Sequence, residues 1–345
     1  MTRRIGIVGA SGYVGGELCR WLIDHPEVEL VQTTSERLAG QPLHRVHPHL
    51  RGVTKLRFTK SADLEPCDVL FLALPHGRAA ANIKHFTEAA EYVIDCSADF
   101  RLRNADDYAR WYREEHPAKE WLGRFRYGLA EVTRNELEGA RHVSGVGCNA
   151  TAVQLALLPL QKAGLLSCEQ PVVAEVKAGS SEAGATPSAS THHAIRAGVV
   201  RSFAPVGHRH TAEVEQTFDG LQLHLSVTSV EMVRGALATC HVQLDRDVVE
   251  TDVLRAYRKF AANEPFIDVI HERAGLYRHP EPKLLAGTNR AQIGFALDPE
   301  RGRLVALCAI DNLGKGAAGS AVQAMNLMLG LDETSGLTFR GIHPI

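Results

Sequence analysis

The chain has 345 residues, 45% of them hydrophobic and 23% charged, with a formal net charge of −2. That length predicts two domains, and that composition an ordinary globular protein. The near-neutral balance predicts no nucleic-acid partner, and the absence of a run of about 18 apolar residues predicts no membrane span. The opening Met1-Thr2-Arg3-Arg4 lacks the apolar core of a secretory signal, so a cytoplasmic location is expected.

Residues 4–9 form an apolar run expected as a buried parallel strand. Val14, Leu18, Trp21 and Leu22 then make a helical stripe that stops before Pro26. Strands are expected at Val28–Thr34, over 69–74 and over 92–96. Strand and helix alternate here, which predicts a Rossmann-type doubly wound parallel sheet. Over 100–127, aromatic residues lie among charges, which suggests a surface helix and loop over the sheet edge. After Cys148 a helical pattern begins, and strands are expected near 172–178, 222–231, 236–244 and 303–310. The pair around 222–244 is joined at Met232-Val233-Arg234-Gly235, which reads as an antiparallel connection. An α+β domain with a mixed sheet and helices on one face follows. A last helical pattern, Gly316 to Leu329, is expected to return to the first domain.

Four segments carry chemistry. Gly9-x-x-Gly12-x-x-Gly15 ends a strand and opens a helix, where glycines allow a tight turn and a pyrophosphate can rest on the helix N-terminus. The second strand ends in Thr34-Ser35-Glu36-Arg37. Ser35 and Arg37 suit the 2′-phosphate of NADP, whereas Glu36 suits the free ribose of NAD. Cys148 stands at a helix start, where unpaired N–H groups and the dipole favour a thiolate nucleophile. His208 and His210, in Gly207-His208-Arg209-His210, are candidate proton carriers. No Asp or Glu occurs from Ala183 to Ala212, while Arg196, Arg201 and Arg209 do, giving either an anion site or a solvated basic face. In Lys177 to Gly184, backbone N–H groups and the hydroxyls of Ser180 and Ser181 suit an anion. The seven cysteines are scattered and form no C-x-x-C pair, so neither a disulfide framework nor a metal site is expected.

With these motifs stand Leu74-Pro75-His76-Gly77, Asp95-Cys96-Ser97-Ala98-Asp99-Phe100-Arg101 and Asp311-Asn312-Leu313-x-Lys315-Gly316. Together they resemble the N-acetyl-gamma-glutamyl-phosphate reductase family, related to aspartate-semialdehyde dehydrogenase, over essentially the whole chain. The resemblance implies NADPH-dependent reduction of an acyl phosphate to a semialdehyde through a cysteine thioester. Cys148 would be the nucleophile and His208 the general acid/base. His210, Glu213, Ser180, Ser181 and Arg101 would bind substrate. Gly9, Ser11, Gly12, Tyr13, Val14, Ser35, Glu36, Arg37, Pro75 and Asn312 would hold NADP(H). Arginine-pathway members usually carry Gly-Cys-Tyr-Pro-Thr, but this chain has Gly147-Cys148-Asn149-Ala150-Thr151. That version is similar to the lysine-biosynthesis branch, whose substrate is 2-aminoadipate 6-phosphate on a small acidic amino-group carrier protein. The alternatives are acetylglutamyl phosphate, an enzyme serving both pathways, or a non-catalytic dinucleotide-binding regulator. The expected domains are 1–147, completed by a C-terminal helix over 315–345, and a catalytic and oligomerisation domain over 148–314. A homodimer or homotetramer is expected.

Overall fold

The computed structural model describes residues 2–244 and 247–344. It divides into two compact units, Met1–Val146 with Ala317–Thr338, and Gly147–Gly316 with Phe339–Ile345.

In the first unit the strands are β1 (Arg3–Val8), β2 (Val28–Thr34), β3 (Phe58–Thr59), β4 (Cys67–Leu72), β5 (Ala90–Asp95), β6 (Arg126–Tyr127) and β7 (His142–Ser144). They form one sheet in the order β3-β2-β1-β4-β5-β7-β6. Every pairing is parallel. The order reverses at β1 and β4, the switch point where doubly wound folds place their ligands. The helices are α1 (Tyr13–Leu22), α2 (Arg78–Ala81), α3 (Ile83–Ala89), α4 (Ala105–Tyr112) and α5 (Ala130–Leu137). The central strands are apolar on both faces because helices cover both. The aromatic stretch over 100–127 differs from the expected surface element. Phe100 and Phe125 stack at 4.1 Å within the core, and Tyr108 of α4 is fully buried. Apart from buried Arg101, the charges face outward while Phe100, Tyr108, Phe125 and Tyr127 are buried.

The second unit begins with α6 (Cys148–Lys162) and contains α7 (His193–Arg196), α8 (His210–Thr217) and α9 (Glu250–Ala261). Its strands are β8 (Val172–Ala178), β9 (Val200–Ala204), β10 (Leu223–Val230), β11 (Ala236–Gln243), β12 (Ile267–Val269), β13 (Ala291–Asp298) and β14 (Arg303–Ile310). The sheet runs β12-β13-β14-β11-β8-β10-β9 and is mixed, with β8 parallel to β10 and antiparallel to β11. α8, α6 and α9 form a layer on it. Buried and half-exposed residues alternate along β8 and β11, as a sheet covered on one face requires. One expectation is corrected. β10 and β11 run in opposite directions but are not paired, because β8 lies between them. Their connection crosses the end of β8, where the amides of Gly179, Ser180 and Ser181 donate to the carbonyls of Gly235, Met232 and Val233. A Cβ at Gly179 would sit 2.8 Å from the Val233 carbonyl oxygen, so only glycine lets the crossing lie flat.

The chain then makes a π-turn over Gly314–Ala318 and returns to the first unit as α10 (Gly319–Met328), which packs on α1 and α5. The helix expected over 315–345 is therefore shorter, and residues 339–344 fold with the second unit. Ile345 lies outside the described residues.

Candidate active site

In the first unit the glycine turn closes tightly at one end and stays open at the other. Gly9 has φ +80°, a region that favours glycine, and a Cβ there would meet the Ala73 carbonyl oxygen at 2.5 Å. A Cβ at Gly15 would fall 2.6 Å from Ala10 Cα, whereas one at Gly12 would meet nothing nearer than 3.9 Å. Gly12 is the N-cap of α1, without a side-chain cap, and the first turn carries no acid. These N–H groups and the space above Gly12 fit a pyrophosphate. Tyr13 is exposed beside the turn, and Val14 is half-buried. Ser11 Oγ and Ser35 Oγ, 2.9 Å apart, tie the turn to the end of β2. Glu36 is engaged elsewhere: its Oε1 accepts the Ser61 N–H at 2.8 Å, a bond that holds its carboxyl below the usual range. Arg37 is exposed at the same strand end.

A residue with no role in the sequence reading supports this turn. His47 is buried, and burial lowers its pKa, so its ring is neutral and Nε2–H donates to the Ala10 carbonyl at 2.8 Å. A Cβ at Gly16 would lie 2.5 Å from that ring, so the glycine makes room for it. The signal was the histidine pair in His47-Pro48-His49, but the contact spans 37 residues and no local pattern reveals it.

Pro75 opens the turn after β4. That turn is capped from β5's far end: buried Asp99 accepts the N–H groups of Gly77 and Ala80, and its Oδ1 lies 2.8 Å from His76 Nδ1. Burial pushes the Asp99 carboxyl up, but His76 and the two amides outweigh it and hold it below its ordinary value. Arg101 is buried, its Nε donating to the Ser97 carbonyl in this unit. The other predicted substrate residues belong to the second unit.

In the second unit Cys148 is the first residue of α6, half-exposed, behind an N-cap glycine without a side-chain cap. Gly316 lies against it: a Cβ there would come within 2.7 Å of the Cys148 Cβ. Glu213, fully buried on α8, accepts the Gly147 N–H at 2.9 Å and lies 3.8 Å from His210 Nε2. His208 Nδ1 accepts the His210 N–H at 3.2 Å, and the two rings meet edge to face at 4.6 Å. His208 is half-exposed, while His210 is buried. Glu213 and His210 thus join Cys148 at one end of α6. Ser181 and Asn312 are bonded to each other, and Asn312 Oδ1 also accepts the Gly235 N–H. Ser180, half-exposed, begins the short 3-10 turn after β8. The stretch without acids is not free of them in space. Glu182 stands at its edge, where Arg209 and Arg196 act on its carboxyl. Among the described residues no cluster of three or more His, Cys, Asp or Glu could hold a metal, and no helix is long and apolar enough to cross a membrane.

Residues 4–140 match the family model described as semialdehyde dehydrogenase, NAD binding domain, and residues 148–312 match semialdehyde dehydrogenase, dimerisation domain. A putative [LysW]-L-2-aminoadipate 6-phosphate reductase from Thermomicrobium roseum is 50% identical over the whole of both chains. The [LysW]-L-2-aminoadipate 6-phosphate reductase of Deinococcus radiodurans is 47% identical, covering 99% of this chain and 98% of that one. A putative [LysW]-L-2-aminoadipate/[LysW]-L-glutamate phosphate reductase from Haloarcula marismortui is 48% identical, covering 100% and 99%. Among solved structures, aspartate semialdehyde dehydrogenase II of Vibrio cholerae shares the fold with a TM-score of 0.74, at 15% identity and over 96% and 99% of the chains. The Candida albicans aspartate semialdehyde dehydrogenase with NADP has a TM-score of 0.69, at 14% identity and over 96% and 99%.

Proposed function

The chain belongs to the semialdehyde dehydrogenase family, and from that premise we propose that it reduces an acyl phosphate to a semialdehyde with NADPH. The observation that carries this reading is Cys148 at the start of α6 with Glu213, His210 and His208 gathered at the same end. The Cys148 thiolate attacks the acyl carbon, the C–O bond to phosphate breaks, and a thioester forms. NADPH, when bound, supplies the hydride that takes this thioester to the aldehyde. His208 takes the thiol proton and later returns it as the thiolate leaves. Glu213 holds Gly147 and orients His210, which meets the substrate with Ser180, Ser181 and Arg101.

Gly9, Ser11, Gly12, Tyr13 and Val14 cradle the pyrophosphate, and Pro75 and Asn312 complete the cofactor's contacts. NADP is favoured over NAD because Glu36 is bonded to Ser61 while Arg37 is exposed for a 2′-phosphate.

The substrate we propose is 2-aminoadipate 6-phosphate on an acidic amino-group carrier protein, in lysine biosynthesis. Asn149-Ala150 after the nucleophile and the names of the Thermomicrobium and Deinococcus relatives support it. The Haloarcula name favours a second reading, in which carrier-linked glutamyl phosphate is also reduced. The enzyme works in the cytoplasm as a homodimer or homotetramer. The test compares carrier-linked aminoadipyl, carrier-linked glutamyl and acetylglutamyl phosphates with NADPH. The expected kcat/KM for the carrier-linked aminoadipyl substrate exceeds that for the acetylated one by about 100-fold or more, roughly 2.7 kcal/mol of transition-state discrimination. Equal values would overturn the lysine assignment.

A further inference from the structure

The reaction above leaves two residues beside the nucleophile without a part. Asn149 is completely buried. Its Nδ2 donates to Glu182 Oε1 at 2.8 Å, and its Oδ1 stands 3.7 Å from Cys148 Sγ as the acceptor of an S–H bond. The two ends of an amide are alike in shape and opposite in hydrogen bonding. A carboxylate only accepts, so Glu182 draws the NH2 end to itself and leaves the carbonyl end facing the sulfur.

We infer that Asn149 and Glu182 are positioning residues for Cys148: Glu182 fixes which end of the Asn149 amide meets the sulfur, and the amide oxygen holds the resting thiol in one orientation and in its protonated form. The helix start pulls the other way, toward thiolate. The pair therefore sets how much thiolate the free enzyme carries before substrate arrives. An acceptor stabilises S–H and repels S⁻, which is the sign of the effect. No new group is consumed: the thiol proton leaves to His208 as in the proposed reaction.

Among the described residues, the charged groups around this end of the unit include Glu213 and His210 from α8, His208 ahead of it, Arg196 and Arg209 acting on Glu182, and the Arg234–Asp311 pair beside Asn312. Burial raises the Glu182 carboxyl, and Asn149, Arg209 and Arg196 oppose it. Replacing Glu182 tests the amide's orientation with the helix and both histidines left in place.

The experiment follows iodoacetamide alkylation of Cys148 against pH in the full chain, read by mass spectrometry of the Cys148 peptide. Glu182→Gln lets the amide turn its NH2 end to the sulfur, and Asn149→Ala removes the acceptor. In both, the alkylation midpoint is expected to fall by about half to one pH unit, roughly three- to tenfold more thiolate at neutral pH. Asn149→Asp puts a charge there and should raise the midpoint. An unchanged midpoint in Asn149→Ala with native circular dichroism overturns the proposal, whether or not Glu182→Gln folds. The proposal rests on Cys148 as the nucleophile. Turnover surviving in Cys148→Ser would sink that reading alone, because alkylation reports the thiol without requiring catalysis.

Discussion

Cys148 is set by the N-cap Gly147, the acid-free first turn of α6 and Gly316 packed against it, with the Asn149 amide oxygen 3.7 Å from its sulfur. Replacing its sulfur should therefore leave the fold intact. Cys148→Ser is expected to lower kcat at least 100-fold with an unchanged melting temperature, because a hydroxyl gives no comparable anion near neutral pH. The histidines divide by exposure. His208→Asn should lower kcat with little change in KM, and His210→Asn should mainly raise KM; steady-state kinetics showing the reverse would exchange their roles. Arg37→Ala should weaken NADPH binding by tenfold or more and NADH hardly at all, measured by fluorescence titration of each cofactor. Equal losses would make Glu36 the selector. Cys148 is legible in the sequence because glycine, cysteine and small polar residues precede a helical stripe. The Glu213 contact to Gly147 is not, since its partners lie 66 residues apart and a glutamate in a helix looks like any solvated one. His47 escapes for the same reason.

Between strands and helices, one buried pair of acids links β5 to the turn after β4. Asp95 ends β5 and bonds to Ser97, while Asp99 caps the start of α2. Burial, then the charge of Asp99, pushes the Asp95 carboxyl up to about 7 from 3.8. The fold thus holds a proton that the unfolded chain has released, and stability falls as pH rises between those values. Asp95→Asn should flatten that fall, so that its melting temperature gains on the parent's by a few degrees from about pH 4 to pH 7. Scanning calorimetry over that range checks it, and parallel curves would contradict it. The alternation of apolar strand and amphipathic helix makes β1, β2, β4 and β5 readable, while the short β3, β6 and β7 carry too few residues to show a pattern. In the second sheet β8, β10, β11 and β14 are readable, but their order is not. Nothing near Met232 to Gly235 announces that β8 slips between β10 and β11, since a tight return and a short crossing draw on the same residues. β9 is too polar to match a period, whereas in β13 Ala291, Ile293, Phe295 and Leu297 alternate with Gln292, Gly294, Ala296 and Asp298, a strand signal that the sequence reading passed over.

For the whole molecule, the outer edge of the second sheet is the place to look for assembly. β9 is an edge strand, and Val200, Phe203 and Val206 in and after it are 79%, 64% and 81% exposed. Apolar side chains beside unpaired backbone invite a partner. Phe203→Asp with Val200→Asp should reduce the sedimenting species to a smaller one while each chain stays folded; an unchanged mass would place the contact elsewhere. The return of α10 bears on how the chain is made. The surface between α1 and α5 that α10 fills is complete only when residues 319–328 have emerged, after residues 147–316, the bulk of the second unit, have been synthesised. At ~5–20 residues per second, residues 147–316 take on the order of ten to thirty seconds to appear. Throughout that interval the nascent first unit carries an open apolar furrow, a natural foothold for a chaperone. Splicing the α10 segment ahead of β1 would let the furrow close as soon as the first unit leaves the ribosome.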